Sequence, residues 1–121
     1  MLGFTSVNCL NELFHKMIYY EIEEKFRIQK KDVMSLIKRN PDIIYEMEVS
    51  YSALNDILTS RIVIVPLTIE IMKKSLDFSK NYRLLLSDAI NAATCEIFKI
   101  MDIATNDRDF ERVDFLKVWK P

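Results

Sequence analysis

The sequence contains one glycine, Gly3, and one histidine, His15. A phosphate-cradling loop or a dinucleotide-binding turn needs several glycines, so that backbone can approach phosphate closely. Neither can be built here. His15 falls in the middle of a helical pattern, and no motif places a serine or cysteine nucleophile beside it. It reads as a structural residue, and histidine-based hydrolysis and metal chemistry lose their usual parts. The two cysteines, Cys9 and Cys95, lie far apart and outside any CxxC pair. A zinc site built on thiolates is therefore excluded. Both sit in apolar stretches and read as reduced, buried thiols of a cytoplasmic protein. The opening MLGFTSVN has no basic segment of the secretory kind. No apolar run approaches the roughly 20 residues that span a bilayer, so no membrane segment is expected.

Half of the 121 residues are hydrophobic, enough for a core, and the length suits one compact domain covering residues 1–121. The formal charge of −1 argues against nucleic-acid binding through a broad basic surface. It does not exclude a nuclease, whose acidic site would offset basic residues elsewhere. Carboxylates remain as the catalytic groups to consider.

Helical spacing of Val7, Leu10, Phe14, Met17 and Ile18, with Thr5 or Ser6 as cap, predicts a helix over Thr5–Lys25. The charged stretch EIEEKFRIQKKD reads as a solvated surface between helices. Val33, Leu36 and Ile37 define one face of a helix over Lys30–Arg39, which Asn40-Pro41 ends. A third helix is predicted over Asp42–Thr59. Arg61–Val65 is a β-branched run closed by Pro66 and reads as a strand. Thr68 opens a helix with Ile69, Met72 and Leu76 on one side. Ser87 is a candidate cap for the next helix, with Asp88 in its first turn, where the helix dipole favours negative charge. Ala89, Ala92 and Ala93 give that helix a small-residue face. Further strands are predicted at Ile100–Thr105 and Leu116–Trp119. Strands alternating with helices imply an α/β fold with a mainly parallel sheet.

The stretch ATNDRDFERV, from Ala104 to Val113, places Asp107 and Asp109 just past a predicted strand. Ligands of open α/β sheets bind beyond the carboxyl ends of the strands. Asp88, at a helix start, faces the same edge of such a sheet. Three converging carboxylates repel unless a cation or protons join them. Mg²⁺ suits an all-oxygen set and keeps several waters. Near a phosphodiester it activates water and stabilises the leaving oxygen. The competing readings are a helix-start charge for Asp88 and ordinary loop polarity for Asp107 and Asp109.

Three blocks resemble the PIN domain family, in particular the VapC-type toxin ribonucleases. TSVNCLNELFHKM resembles the segment with the family's second acid, here Glu12. LLLSDAINAA resembles the segment with the third, Asp88, and ATNDRDFERV the terminal block, with Asp107 and its companion Asp109. LKVWKP resembles the last strand. The resemblance implies a helix-rich, three-layer α/β/α fold with a short, mainly parallel sheet. It also implies a metal-dependent endoribonuclease selective for single-stranded RNA. Mg²⁺ or Mn²⁺ would be held by Asp88, Glu12 and Asp107, with Asp109 as a fourth catalytic acid. Thr105 and Asn106 would orient the group by hydrogen bonds. A small antitoxin and a second copy of the chain are the implied protein partners. Glu12 owes its role to the resemblance alone, since a glutamate at the edge of an amphipathic helix is ordinarily solvated.

The family opens with a central strand that ends in its first metal-binding aspartate. Here eleven residues precede Glu12 and none is acidic. The expectation is an N-terminally incomplete PIN-like domain. It would lack the usual central first strand, have weakened metal affinity, and leave neighbouring strands short of partners. Three origins are open: a true start upstream of Met1, a decayed remnant, or a shortened module. The alternative function is a non-catalytic binding module using the apolar helices at Thr5–Lys25 and Asp42–Thr59. A third is a structural domain whose acids are only solvated.

Overall fold

The structure, a computed structural model, describes residues 3–121. It is helix-rich with short strands. In order these are β1 (Phe4–Ser6), α1 (Val7–Phe26), α2 (Lys30–Arg39), a 3-10 turn (Pro41–Glu46), α3 (Glu48–Leu58) and β2 (Val63–Val65). Then follow α4 (Ile69–Tyr82), α5 (Leu86–Ile97), β3 (Asp102–Ala104), a second 3-10 turn (Arg108–Arg112) and β4 (Lys117–Trp119). β1 pairs with β2, and β3 pairs with β4. The second pair is parallel, with Asp102, Ile103 and Ala104 opposite Lys117, Val118 and Trp119. The α/β class and the parallel pairing match the sequence reading. A short strand at Phe4–Ser6 occupies residues read as the start of the first helix. Among the described residues no helix is long and apolar enough to cross a membrane. Contacts divide the chain into two units, Cys9–Ile64 with the N-terminal residues, and Val65–Pro121 with Ser6–Asn8.

In the first unit Ile18 and Ile22 of α1 pack with Val33, Ile43 and Met47, and Phe14, Leu36 and Ile37 close around them. The helix predicted over Asp42–Thr59 is two elements, broken at Met47. The cause lies in α1. Glu21 is buried, although EIEEKFRIQKKD reads as solvated, and its carboxylate meets the start of α3. It accepts from the Ser50 amide at 2.8 Å, the Ser50 hydroxyl at 2.7 Å and the Val49 amide at 3.3 Å. The first amides of a helix have no partner within it. A carboxylate supplied from a neighbouring helix satisfies them and suits the positive end of the helix dipole. A fresh helix start is thereby stabilised at Glu48. Lys25, one turn along α1, lies 3.6 Å from the same carboxylate.

In the second unit the buried face of α4 is Ile71, Ser75 and Phe78. The face read from sequence was Ile69, Met72 and Leu76. Met72 does pack against the core, but Ile69 is 73% exposed and Leu76 58%. The face rotates toward Phe78 because that ring packs edge-on against Tyr82 and lies beside Phe115. Thr68 caps α4 as expected, accepting from the Ile71 amide. Tyr82 donates to Asp114 at 2.9 Å. Burial raises its pKa, and the Asp114 carboxylate raises it further. The small-residue face of α5 is fully buried, with Ala89, Ala92 and Ala93 all at 0% exposure. They join Phe110, Val113 and Leu116 in one core. Neither cysteine is in a disulfide; Cys95 is buried as expected, whereas Cys9 is only half-buried.

Scarcity of glycine shows at the helix ends. Arg27, Arg83 and Lys99, which follow α1, α4 and α5, adopt left-handed backbone with φ of 51°, 55° and 56°. That conformation ordinarily selects glycine. The Leu84 amide closes α4 onto the Ser79 carbonyl, and the Ile100 amide closes α5 onto Cys95.

Burial works against ionisation of Glu21, but the Ser50 hydroxyl, the Ser50 and Val49 amides and Lys25 outweigh it, so its pKa lies below the usual 4.5. A depressed carboxyl stabilises the fold above its unfolded pKa, and that contribution is lost as pH falls through the folded value. Glu21→Gln should cost about 1.5–3 kcal/mol at neutral pH, the range for hydrogen bonds to a charged group. Urea titration should show the gap from the parent protein closing below about pH 4.5.

Candidate metal centre

The end of β3 leads directly into an acidic turn. Pairing with β4 continues one residue past the strand, the Thr105 amide donating to the Trp119 carbonyl at 2.9 Å. The Thr105 hydroxyl then accepts from the Asp107 amide at 3.0 Å. Asp107 Oδ1 accepts from the Asp109 amide at 2.9 Å, capping the turn Arg108–Arg112. Buried Phe110 anchors that turn in the core. The backbone direction at Asp107 and Asp109 is thus set by a short chain of hydrogen bonds and one apolar anchor.

Asp88 comes from the first turn of α5. The helix begins at Leu86, two residues earlier than a Ser87 cap predicts, and Leu85 in the cap position has no capping side chain. Ser87 has a different task. Asn8 Nδ2 donates to the Ser87 hydroxyl and carbonyl, both at 3.2 Å, and to Asn91 Oδ1 at 3.1 Å. The buried Ser6 hydroxyl donates to the same Asn91 oxygen at 3.2 Å. These bonds fix the first turn of α5 and hence the position of Asp88. Asn8 and Asn91 are 83 residues apart, and neither stood out in the sequence. No local signal links a polar residue in one helix to a partner so distant.

Asp88, Asp107 and Asp109 each offer a carboxylate oxygen within 4.8 Å of the others. Asp88 is half-buried, and the other two are exposed. Like charges at this spacing repel, and a neighbouring cation relieves them. Arg112 supplies one, its guanidinium lying 3.0 Å from Asp109 Oδ1. A carboxylate has about four lone-pair sites, so the capping bond leaves Asp107 able to take a cation as well. Thr105 orients the group as the sequence suggests. Among the described residues Asn106 shows no hydrogen bond to it. Glu12 is half-buried on α1 and belongs to the other contact unit, so its part in the site stays with the resemblance.

A parallel strand pair, a helix seated through small residues and three carboxylates gathered beyond β3 define an α/β fold with a candidate cation site. Residues 52–116, more than half of the chain, match the PIN domain family, and the chain belongs to it. Ribonuclease VapC6 of Methanocaldococcus jannaschii is 45% identical over 51 residues, covering 42% of this chain and 33% of that protein. Ribonuclease VapC2 of the same organism is 39% identical over 85 residues, covering 68% and 53%. The chain thus spans between a third and about half of the length of these relatives. No solved structure matches.

A divalent cation drawn to the three carboxylates would meet the opposing charge of Arg112 at Asp109. Arg112→Ala should therefore tighten Mn²⁺ binding several-fold, on the order of the weak ion pair removed. Isothermal titration or Mn²⁺ electron paramagnetic resonance checks this, and unchanged or weaker binding counts against a cation at Asp109.

Proposed function

We propose that this chain carries the catalytic acids of a VapC-type endoribonuclease that cuts single-stranded RNA with Mg²⁺ or Mn²⁺. The observation behind this reading is the convergence of Asp88, Asp107 and Asp109 within 4.8 Å. Two relatives that bear the name ribonuclease add support. The donor set fits the metal. Three carboxylates form an all-oxygen, hard-ligand group, and two of them face solvent, which suits an ion that keeps part of its water shell.

Asp88 and Asp107 are the proposed ligands, with Asp109 beside them, and the resemblance alone adds Glu12 to the proposal. When bound, the cation makes an attacking water more nucleophilic and offsets charge on the leaving oxygen. The chain's own residues position the group. Asn8 and Asn91 hold the first turn of α5, Thr105 holds Asp107, and Asp107 holds Asp109. Arg112 keeps Asp109 in place. Cytoplasmic location, a small antitoxin partner and a homodimer belong to the same proposal, on the strength of the resemblance.

The direct test is cleavage of a mixed single-stranded RNA pool with Mg²⁺ or Mn²⁺, with EDTA, and with Asp88→Asn. Metal-dependent cutting should fall by on the order of 100-fold in the variant, since even outer-shell changes at metal sites cost about 10- to 100-fold. No cutting by a folded chain moves the reading to a non-catalytic binding module.

A further inference from the structure

Trp119, the sole tryptophan of the chain, lies outside the acidic group yet is tied to it. Its carbonyl accepts from Thr105, whose hydroxyl holds the Asp107 amide. On the strand pair β3–β4, Ile103 and Val118 pack against the core, while Asp102, Ala104, Lys117 and Trp119 are exposed. The ring is 53% exposed. It is nonetheless fixed, because the indole N–H donates to Asp102 Oδ1 at 2.9 Å. The Lys117 ammonium lies 4.4 Å from the ring centroid. Lys120, the next residue, reaches Glu111 at 3.2 Å, within the same turn as Asp109.

We infer that Trp119 is a stacking platform for one unpaired base of the RNA substrate. Its face receives the base, and Lys117 takes an adjoining phosphate. The inference rests on the ribonuclease reading for its ligand and deepens it by naming a substrate contact outside the acids. Three features argue for this occupant. A large aromatic face held rigid in solvent loses little freedom when a base stacks on it, and such stacking tolerates any base. An ammonium resting on an exposed ring is a weak contact that an arriving base displaces, leaving the cation beside the backbone it is suited to neutralise. Finally, the platform belongs to the strand pair that leads into the turn carrying Asp107, and Thr105 joins the two through its bonds to the Trp119 carbonyl and the Asp107 amide. A protein surface would bury the apolar ring equally well, but it has no special use for a cation beside it.

Because no other tryptophan contributes, intrinsic fluorescence reports this one site. The full chain is titrated in EDTA with a single-stranded oligoribonucleotide, and with one of equal length whose bases are removed over a central stretch. EDTA blocks cutting, so binding is read apart from catalysis, and failure of the cleavage assay leaves this measurement standing. The base-bearing strand should quench the emission and bind roughly 5- to 100-fold more tightly than the abasic one. Read by the anisotropy of end-labelled strands, since these variants lack the tryptophan, Trp119→Leu should lose that preference and Trp119→Phe should keep most of it. Equal binding and quenching by the two strands overturns the inference. So does a Trp119→Leu variant that retains the preference, or a folded chain that binds neither strand.

Discussion

The close seating of α5 is the contact on which the second unit depends. Ala89, Ala92 and Ala93 are fully buried against a core that also holds Phe110, Val113 and Leu116. Only small side chains allow a helix backbone to approach this nearly. The approach brings the first turn of α5 beside the turn that follows β3, and Asp88 meets Asp107 and Asp109 there. A larger residue at these positions would push the helix outward and separate the acids without touching any of them. The hydrogen bonds from Asn8 to Ser87 and Asn91 fix the same turn from its other side. Packing sets the distance of the helix, and hydrogen bonding sets its place along its own axis.

Electrostatics then explains how the group persists. Three carboxylates gathered in water are unfavourable, and Arg112 relieves part of that through Asp109. A second device of the same kind operates in the first unit, where Glu21 lies buried and is satisfied by the start of α3. Both are carboxylates held by donors, Glu21 by the start of another helix and Asp109 by Arg112 of its own turn. In the first unit the result is architecture, since the capped amides decide where α3 begins. In the second it is a candidate site, since the acids outnumber the cation beside them.

Much of this was legible in the sequence where periodicity and local chemistry agree. The helix Lys30–Arg39 falls on its predicted bounds, and Thr68 caps α4 as read. The alanine face of α5 and the parallel character of the sheet were also visible. Asp88, Asp107 and Asp109 were recognised from helix-start and strand-end positions. What escaped depends on partners remote in sequence. Nothing near Met47 says that Glu21 will start a new helix there. The periodicity of α4 fits more than one face, and the rings of Tyr82 and Phe115 decide between them. Ser87 has the chemistry of a cap, but Asn8 claims its hydroxyl and the helix starts one residue before it.

The scarcity of glycine has one more consequence. Left-handed backbone at a residue with a side chain costs about 1–2 kcal/mol, and Arg27, Arg83 and Lys99 each bear it. All three are cations at helix carboxyl ends, where the dipole returns about 0.3–1 kcal/mol to a positive charge. Glycine would meet the geometry with no charge involved. Here a steric cost is partly offset by Coulombic attraction, and the attraction is screened by dissolved salt whereas the strain is not. The ends of α1, α4 and α5 should therefore fray first as ionic strength rises, which makes the local stability of this chain a property shared with its solvent.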